Sequence, residues 1–281
     1  MLLAAPTGAQ VIESNVGGTT AAELGTLITA AGSSHTKGAF SSGELIASTA
    51  RASYGITVML AEVGTAASTN SRMLVDIGLG ASGSETVLIP DLLAGNVGTL
   101  TGAVNTAAMY HFPLFIPSAS RLSARCQALI ASDTVRVAVW LHQHVRNVGW
   151  VGQRVTAYGP DTATSSGVSV PQSTGAYGTT TEITSSCTYP IRAMQLGVDL
   201  ATDTTGVNKR GIVRVGTGAT PEWIASDLPF GESTSTENIS CMWANLILQG
   251  MRFSIPAATR LALATRTSAA ENRGWAIYAV G

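Results

Sequence analysis

The residues best placed to do chemistry in this chain are a histidine pair, two recurrent aspartates, two recurrent arginines and a handful of tryptophans and tyrosines. His142-Gln143-His144 is the only tight histidine pair, and as alternate residues of a strand the two rings could share a face and hold a metal ion. A metal site needs three or four ligands with partners behind them, and no cysteine or carboxylate clusters near this pair in sequence. An exposed strand end or a subunit contact is therefore the expected role. Asp91 and Asp227 each precede a leucine. Acid–base hydrolysis would need both carboxylates on one substrate, and nothing in the sequence brings them together, so a turn-capping or loop-ordering role is expected. Gly78-Leu79-Gly80 and Gly216-Thr217-Gly218 lack the spacing, the helix and the lysine of a phosphate loop. With no Gly-x-Ser-x-Gly elbow and no His-Glu-x-x-His helix, the expectation is a protein with no catalytic residues, no metal and no cofactor.

The arginines are more informative because they recur in context. Ile116-Pro117-Ser118-Ala119-Ser120-Arg121-Leu122 returns 139 positions later as Ile255-Pro256-Ala257-Ala258-Thr259-Arg260-Leu261. Proline cannot donate to a ladder, so Pro117 and Pro256 mark a strand corner, and Arg121 and Arg260 are placed to bridge carbonyls or pair with an acid there. The repeat extends further. Gly78 to Ser82 answers to Gly216 to Thr220, Tyr54, Ile56 and Met59 to Tyr189, Ile191 and Met194, Gly38-Ala39-Phe40 to Gly175-Ala176-Tyr177, and Val137 to Trp140 answers to Trp275 to Tyr278. The chain of 281 residues reads as two copies of one domain, 1–144 and 145–281, each of ordinary domain size.

Strand alternation dominates where the copies agree. Val135, Val137, Val139 and Leu141 share one parity, as do Phe112, Leu114, Ile116, Leu122, Ala124 and Cys126. The best helical segment, Thr20 to Ile28, is weakened by its glycines and threonines. Many short strands with little helix indicate two tandem, duplicated, jelly-roll-like antiparallel β-sandwich domains, an all-β protein. The stretches from Gly25 to Gly43 and from Pro160 to Thr181 are expected to be long loops or poorly patterned edge strands.

Charged residues make up 12% of the chain, and the formal net charge is −1, with 16 basic residues scattered against 17 acidic ones. No basic stripe is present to displace counterions, which argues against nucleic acid. Such a surface gains little colloidal repulsion, so coverage by partners in a larger assembly, including copies of the same chain, is expected. Met1 to Pro6 is apolar but lacks the cationic start of a secretion signal, and no apolar run is long enough to span a bilayer. Cys126, Cys187 and Cys241 do not correspond between the copies and are expected to be buried thiols. Trp275 falls on the inward parity and belongs to a core, whereas Trp150, Trp223 and Tyr177 are candidates for surface contact with a glycan or a neighbouring subunit.

The blocks Leu74-Val75-Asp76-Ile77-Gly78, Gly83 to Leu93 and Phe115 to Arg125 resemble accessory structural proteins of tailed bacteriophages, and the resemblance extends over both copies. What it implies is a virion component assembled in the host cytoplasm, most simply a tail appendage or fibre protein. Capsid decoration and a freestanding carbohydrate-binding module are the alternatives. Expected partners are other virion proteins (portal, adaptor, tail or major capsid protein), copies of itself and a host-surface glycan, with no membrane insertion.

Overall fold

In a computed structural model, the protein is described over residues 11–16, 24–64, 70–97, 108–143, 150–199, 209–232, 254–268 and 272–281. Among the described residues, nine strands belong to the first half: β1 (Val11–Ser14), β2 (Thr26–Thr29), β3 (Glu44–Ile46), β4 (Gly55–Ala61), β5 (Asn70–Leu79), β6 (Thr86–Val97), β7 (Ala108–Phe112), β8 (Leu122–Ala128) and β9 (Thr134–His142). One sheet runs β1-β9-β4-β7, with β2 also paired to β9, and the other runs β3-β8-β5-β6, all antiparallel. From β2 onward the chain crosses between sheets at every step except the β5–β6 hairpin, which is a jelly roll. Its core takes Ile56, Val58, Phe112 and Val139 from one sheet and Val75, Ile77, Ala124 and Cys126 from the other, all fully buried.

The second half repeats this order with β10 (Val155–Tyr158), β11 (Val168–Thr174), β12 (Thr181–Thr184), β13 (Ala193–Asp199), β14 (Lys209–Thr217), β15 (Glu222–Glu232), β16 (Leu261–Thr267) and β17 (Asn272–Val280). Here β10, β11 and β13 pair with β17, while β12-β16-β14-β15 reproduces the second sheet. β11 runs antiparallel to β17 over Val168 to Pro171 and then parallel to β16 over Gln172 to Thr174, so the two sheets meet along it. The protein is thus all-β, built as two tandem jelly-roll-like sandwiches.

The duplication reaches individual bonds. After Pro117 and Pro256, Ala119 and Ala258 take left-handed backbone (φ 56° and 61°). Ala119 N–H donates to Thr49 O and Ala258 N–H to Cys187 O, both at 2.7 Å, while Gly80 N–H reaches Arg121 O and Gly218 N–H reaches Arg260 O, both at 3.1 Å. The β5–β6 register shifts between Val75 and Ile77, and the β14–β15 register between Val213 and Val215. Asp91 and Asp227 occupy these bulges with φ of 53° and 56°. Aspartate is one of the few side chains that enters that conformation readily, which accounts for its return.

Two details of the sequence alignment move. Gly38 N–H donates to Cys126 O and Gly178 N–H to Thr265 O, both at 2.9 Å, so the partner of Gly38 is Gly178 and not Gly175. Glycine-rich chain carries too little pattern to fix such a register. The end of the best helical window, Thr26 to Ile28, lies in strand β2, because its edge pairing to β9 outweighs a weak local preference, and the start of the window, 20–23, lies outside the described residues.

The halves do not have separate cores. β17 buries Trp275, Ile277 and Ala279 in the second sandwich and turns Ala276, Tyr278 and Val280 into the core of the first. Tyr278 stands edge-on to Tyr110, with ring centroids 5.3 Å apart. Its hydroxyl accepts from Leu93 N–H (2.7 Å) and donates to Asp91 O (2.8 Å), and Tyr110 donates to Leu93 O (2.6 Å). These bonds seal the otherwise open edge of β6. Gly197 makes room, since a Cβ there would lie 2.7 Å from the Tyr278 ring. Gln195 completes the seam, accepting from His111 N–H (2.8 Å) and donating to Met109 O (3.2 Å) along the edge of β7.

Candidate functional site

What both copies keep is required by the fold, and what one copy changes is open to function. The arginine corner belongs to the first class. Arg121 Nε donates to Glu44 (2.9 Å) and its Nη1 to Glu85, whose side chain is only 3% exposed. Burial alone would raise the Glu85 carboxyl, but hydrogen bonds from backbone N–H groups and from Arg121 hold it below its ordinary value. Arg260 Nε donates to Glu182 (2.6 Å) and its Nη1 to Gly218 O (3.1 Å). Both guanidinium groups clamp the corner to the neighbouring strand β3 or β12.

The outer faces of β5 and β14 belong to the second class. In the first half Asp76 is fully buried, accepting from Lys37 (2.7 Å), Arg125 (2.9 Å) and Asp91 N–H (2.9 Å); Lys37 also reaches Asp91 at 2.6 Å. Phe40 lies under the Arg125 guanidinium, 4.4 Å from ring centroid to carbon, and against Gly78. This cluster is charge-balanced and closed. In the second half Arg214 stands where Asp76 does, Ala264 where Arg125 does and Arg266 where Gln127 does, as the strand registers show. The Arg214 guanidinium lies 4.0 Å from the Tyr177 ring centroid and 3.7 Å from that of Trp223. Arg266 is 5.6 Å from Tyr177, whose hydroxyl donates to Asp227 (2.8 Å).

Tyr177 and Trp223, separate in sequence, are therefore brought together around one arginine. Gly216 permits the approach, because a Cβ there would lie 3.0 Å from the Trp223 ring. Beside them opens a depression of about 310 Å³ lined by Gly175, Gly211, Ile212, Arg266 and Thr267. Among the described residues neither Arg214 nor Arg266 forms an ion pair, and the buried Nε of Arg214 meets no acceptor. Trp150 lies apart, half-buried against the shared core at the seam. The arginines went unnoticed in sequence, although reading the repeat column by column exposes the change of Asp76 to Arg214 and of Gln127 to Arg266.

Among the described residues His111, His142, Cys126, Cys187 and Asp199 are enclosed. His142, expected at an exposed strand end, is fully buried, paired on one side to Val11 of β1 and on the other to Gly55 of β4, with the His111 ring packed against its own at 5.2 Å. Its Nε2 and His111 Nδ1 share the Thr57 hydroxyl at 2.7 and 2.9 Å. Burial, then the neighbouring His142, pushes His111 down to about 4. The partner His111 came from a strand 31 residues upstream and carried no local signal; His144 lies outside the described residues. Cys126 and Cys187 are buried thiols, raised by burial to about 12 and about 11, and Cys241 lies outside the described residues. Asp199, fully buried and hydrogen-bonded by Gly167 N–H (3.0 Å), is pushed up to about 6 by burial. Among the described residues no group of three or more His, Cys, Asp or Glu side chains is arranged to hold a metal ion.

No protein-family model matches the chain, and no curated protein does. Among solved structures it is similar to PNGF-II, at 8% identity and a TM-score of 0.34, over 92% of this chain and 64% of that one. It is similar also to a chain of Sulfolobus turreted icosahedral virus, at 11% identity and a TM-score of 0.29, over 90% and 88% of the two chains. PNGase F, a glycosylasparaginase from Flavobacterium meningosepticum, is similar at 5% identity and a TM-score of 0.29, over 96% and 92%. The chain spans less than two thirds of the length of PNGF-II.

Proposed function

We propose that this chain is a structural subunit of a virus particle, an accessory protein of a tailed bacteriophage that serves as a tail appendage or fibre component. The observation that carries this reading is the seam: two jelly rolls are joined through a continuous core and the tyrosine-sealed edge of β6, which suits a rigid building block. The ionised groups of the first half support it, since Asp76, Glu85, Lys37, Arg121 and Arg125 are all engaged in holding strands together. On the outer face of the β4–β9 sheet Met59, Ala61 and Ala138 are buried beneath half-buried Val16, Leu24, Met109 and Trp140, and the exposed parts of these four offer an apolar contact to other virion proteins or a second copy. No catalytic step is assigned to the protein. Quantitative mass spectrometry and immunogold labelling of purified particles test the reading. Tens of copies at the tail are expected, hundreds on the capsid would make it a decoration protein instead, and absence from the particle overturns both.

A second reading, a saccharide-binding face, has its own observation in the Tyr177, Trp223 and Arg214 cluster beside the depression on the second half. Aromatic rings next to a shallow, open groove suit sugar rings. On a virion component this face would meet the host surface.

A further inference from the structure

We infer that the depression beside Arg214 and Arg266 takes a carboxylate-bearing saccharide, a uronic or sialic acid unit, in preference to a neutral sugar. The inference rests on the saccharide-binding reading and is independent of the virion reading.

The internal duplication supplies the control. The fold itself asks for no positive charge on this face, because the first half builds the same strands with Asp76 neutralised by Lys37 and Arg125 and with an uncharged Gln127. Gln127 is occupied, donating to Thr162 O (2.7 Å) and Ser165 Oγ (2.9 Å) of the second half. Its counterpart Arg266 is exposed at the rim of the depression. The second half thus places two guanidinium groups where the first has a closed salt-bridge cluster and an amide.

Among the described residues the carboxylate of the cluster, Asp227, receives the Tyr177 hydroxyl, and neither arginine forms an ion pair. Tyr177 and Trp223 hold the Arg214 guanidinium between ring contacts of 4.0 and 3.7 Å, which fixes the cation without neutralising it. A planar, pre-positioned guanidinium with open donors matches a carboxylate through paired N–H···O bonds. Gly175, where a Cβ would meet nothing within 4 Å, leaves that side of the depression open, and the Ile212 side adds apolar surface for a sugar ring.

Saturation-transfer NMR on the full chain tests this with two probes of equal length, an oligogalacturonate and a galactose oligomer, at low salt. Tighter binding of the acidic probe by about tenfold, which is 1.4 kcal/mol, is expected. That preference is lost in Arg266→Ala and is not restored in Arg266→Lys, which keeps the charge but not the fork. Arg214→Gln reports on the second cation, with Gln127→Ala as a control on the other half that leaves binding unchanged. Equal affinity for the two probes overturns the inference while leaving the saccharide reading in place. Binding of neither probe overturns both. Displacement of the acidic probe by equimolar inorganic phosphate would show a site for any anion and also overturns the inference.

Discussion

The outer faces of β5 and β14 occupy the same place in two copies of one fold, yet one is a closed cluster of paired charges and the other a pair of arginines among aromatic rings. The edges differ in the same way. Leu93 in β6 needs partners for its N–H and carbonyl and finds them in Tyr278 and Tyr110, whereas its counterpart Pro229, set opposite Ile212 as Leu93 is opposite Leu74, has no N–H to satisfy. The first half is finished by the second; the second finishes itself with a residue that blocks pairing. A duplicated sandwich can thus keep its corners and bulges unchanged while its faces and edges are assigned different tasks.

The seam is the place where this contrast breaks with the largest effect. Tyr278→Ala removes a buried ring and the partner of the Leu93 N–H, and is expected to cost about 3–5 kcal/mol. Denaturation followed by tryptophan fluorescence should change from one transition to two, and a variant that still unfolds as one unit would show that the halves are coupled by something else.

Acid separates the halves with opposite signs. His111, held near 4 in the folded first half against an ordinary 6.5, stays neutral while the unfolded chain takes up the proton. Stability present above pH 6.5 is therefore lost as pH falls towards 4, by roughly 3 kcal/mol. His142, lowered by burial, acts in the same direction. Asp199 in the second half is raised from 3.8 to about 6, so its contribution is fully present below 3.8 and lost as pH rises through 6. The two trends offset in the native chain. Asp199→Asn should steepen the loss on acidification and His111→Gln should lessen it, as read from denaturant midpoints between pH 4 and 7.

The corners sharpen the comparison at smaller scale. Arg121→Ala leaves the nearly buried Glu85 without its guanidinium and is expected to cost about 2–3 kcal/mol. Arg260→Ala gives up the half-exposed Glu182 and two surface carbonyls, for about 1 kcal/mol. Equal losses in calorimetry would mean that the corner itself, and not its buried acid, sets the cost. The smallest effect on stability, within about 0.5 kcal/mol, is expected for Pro229→Leu, since the side chain is exposed. Its signature is self-association with rising concentration in analytical ultracentrifugation, because the edge of β15 regains a donor.

Much of the fold was legible because its signals are local. Alternation through Phe112 to Cys126 and through Val135 to Leu141 marks strands, and the Pro117/Pro256 corner repeats within seven residues. Less of the candidate site was legible. Tyr177 and Trp223 were singled out only as aromatics near loops, and the arginine that joins them lies on a strand whose outward parity looked unremarkable. β17 illustrates the limit: Gly274 to Val280 reads as an unbroken apolar run because both its faces are covered, and alternation then gives no clue to which face meets which core.

From the sequence alone follow the doubling of one sandwich, the corners with their arginines and the recurrence of an ordering aspartate before leucine, since each depends on neighbours a few residues apart or on the repeat itself. Only the tertiary structure decided that Tyr278 would seal β6, that His111 would meet His142 across Thr57, and that Arg214 would lie between Tyr177 and Trp223. Apart from Arg214 and Trp223, which meet across the β14–β15 hairpin, those contacts join residues dozens to nearly two hundred positions apart, and their geometry is set by how sheets stack, which no local pattern records.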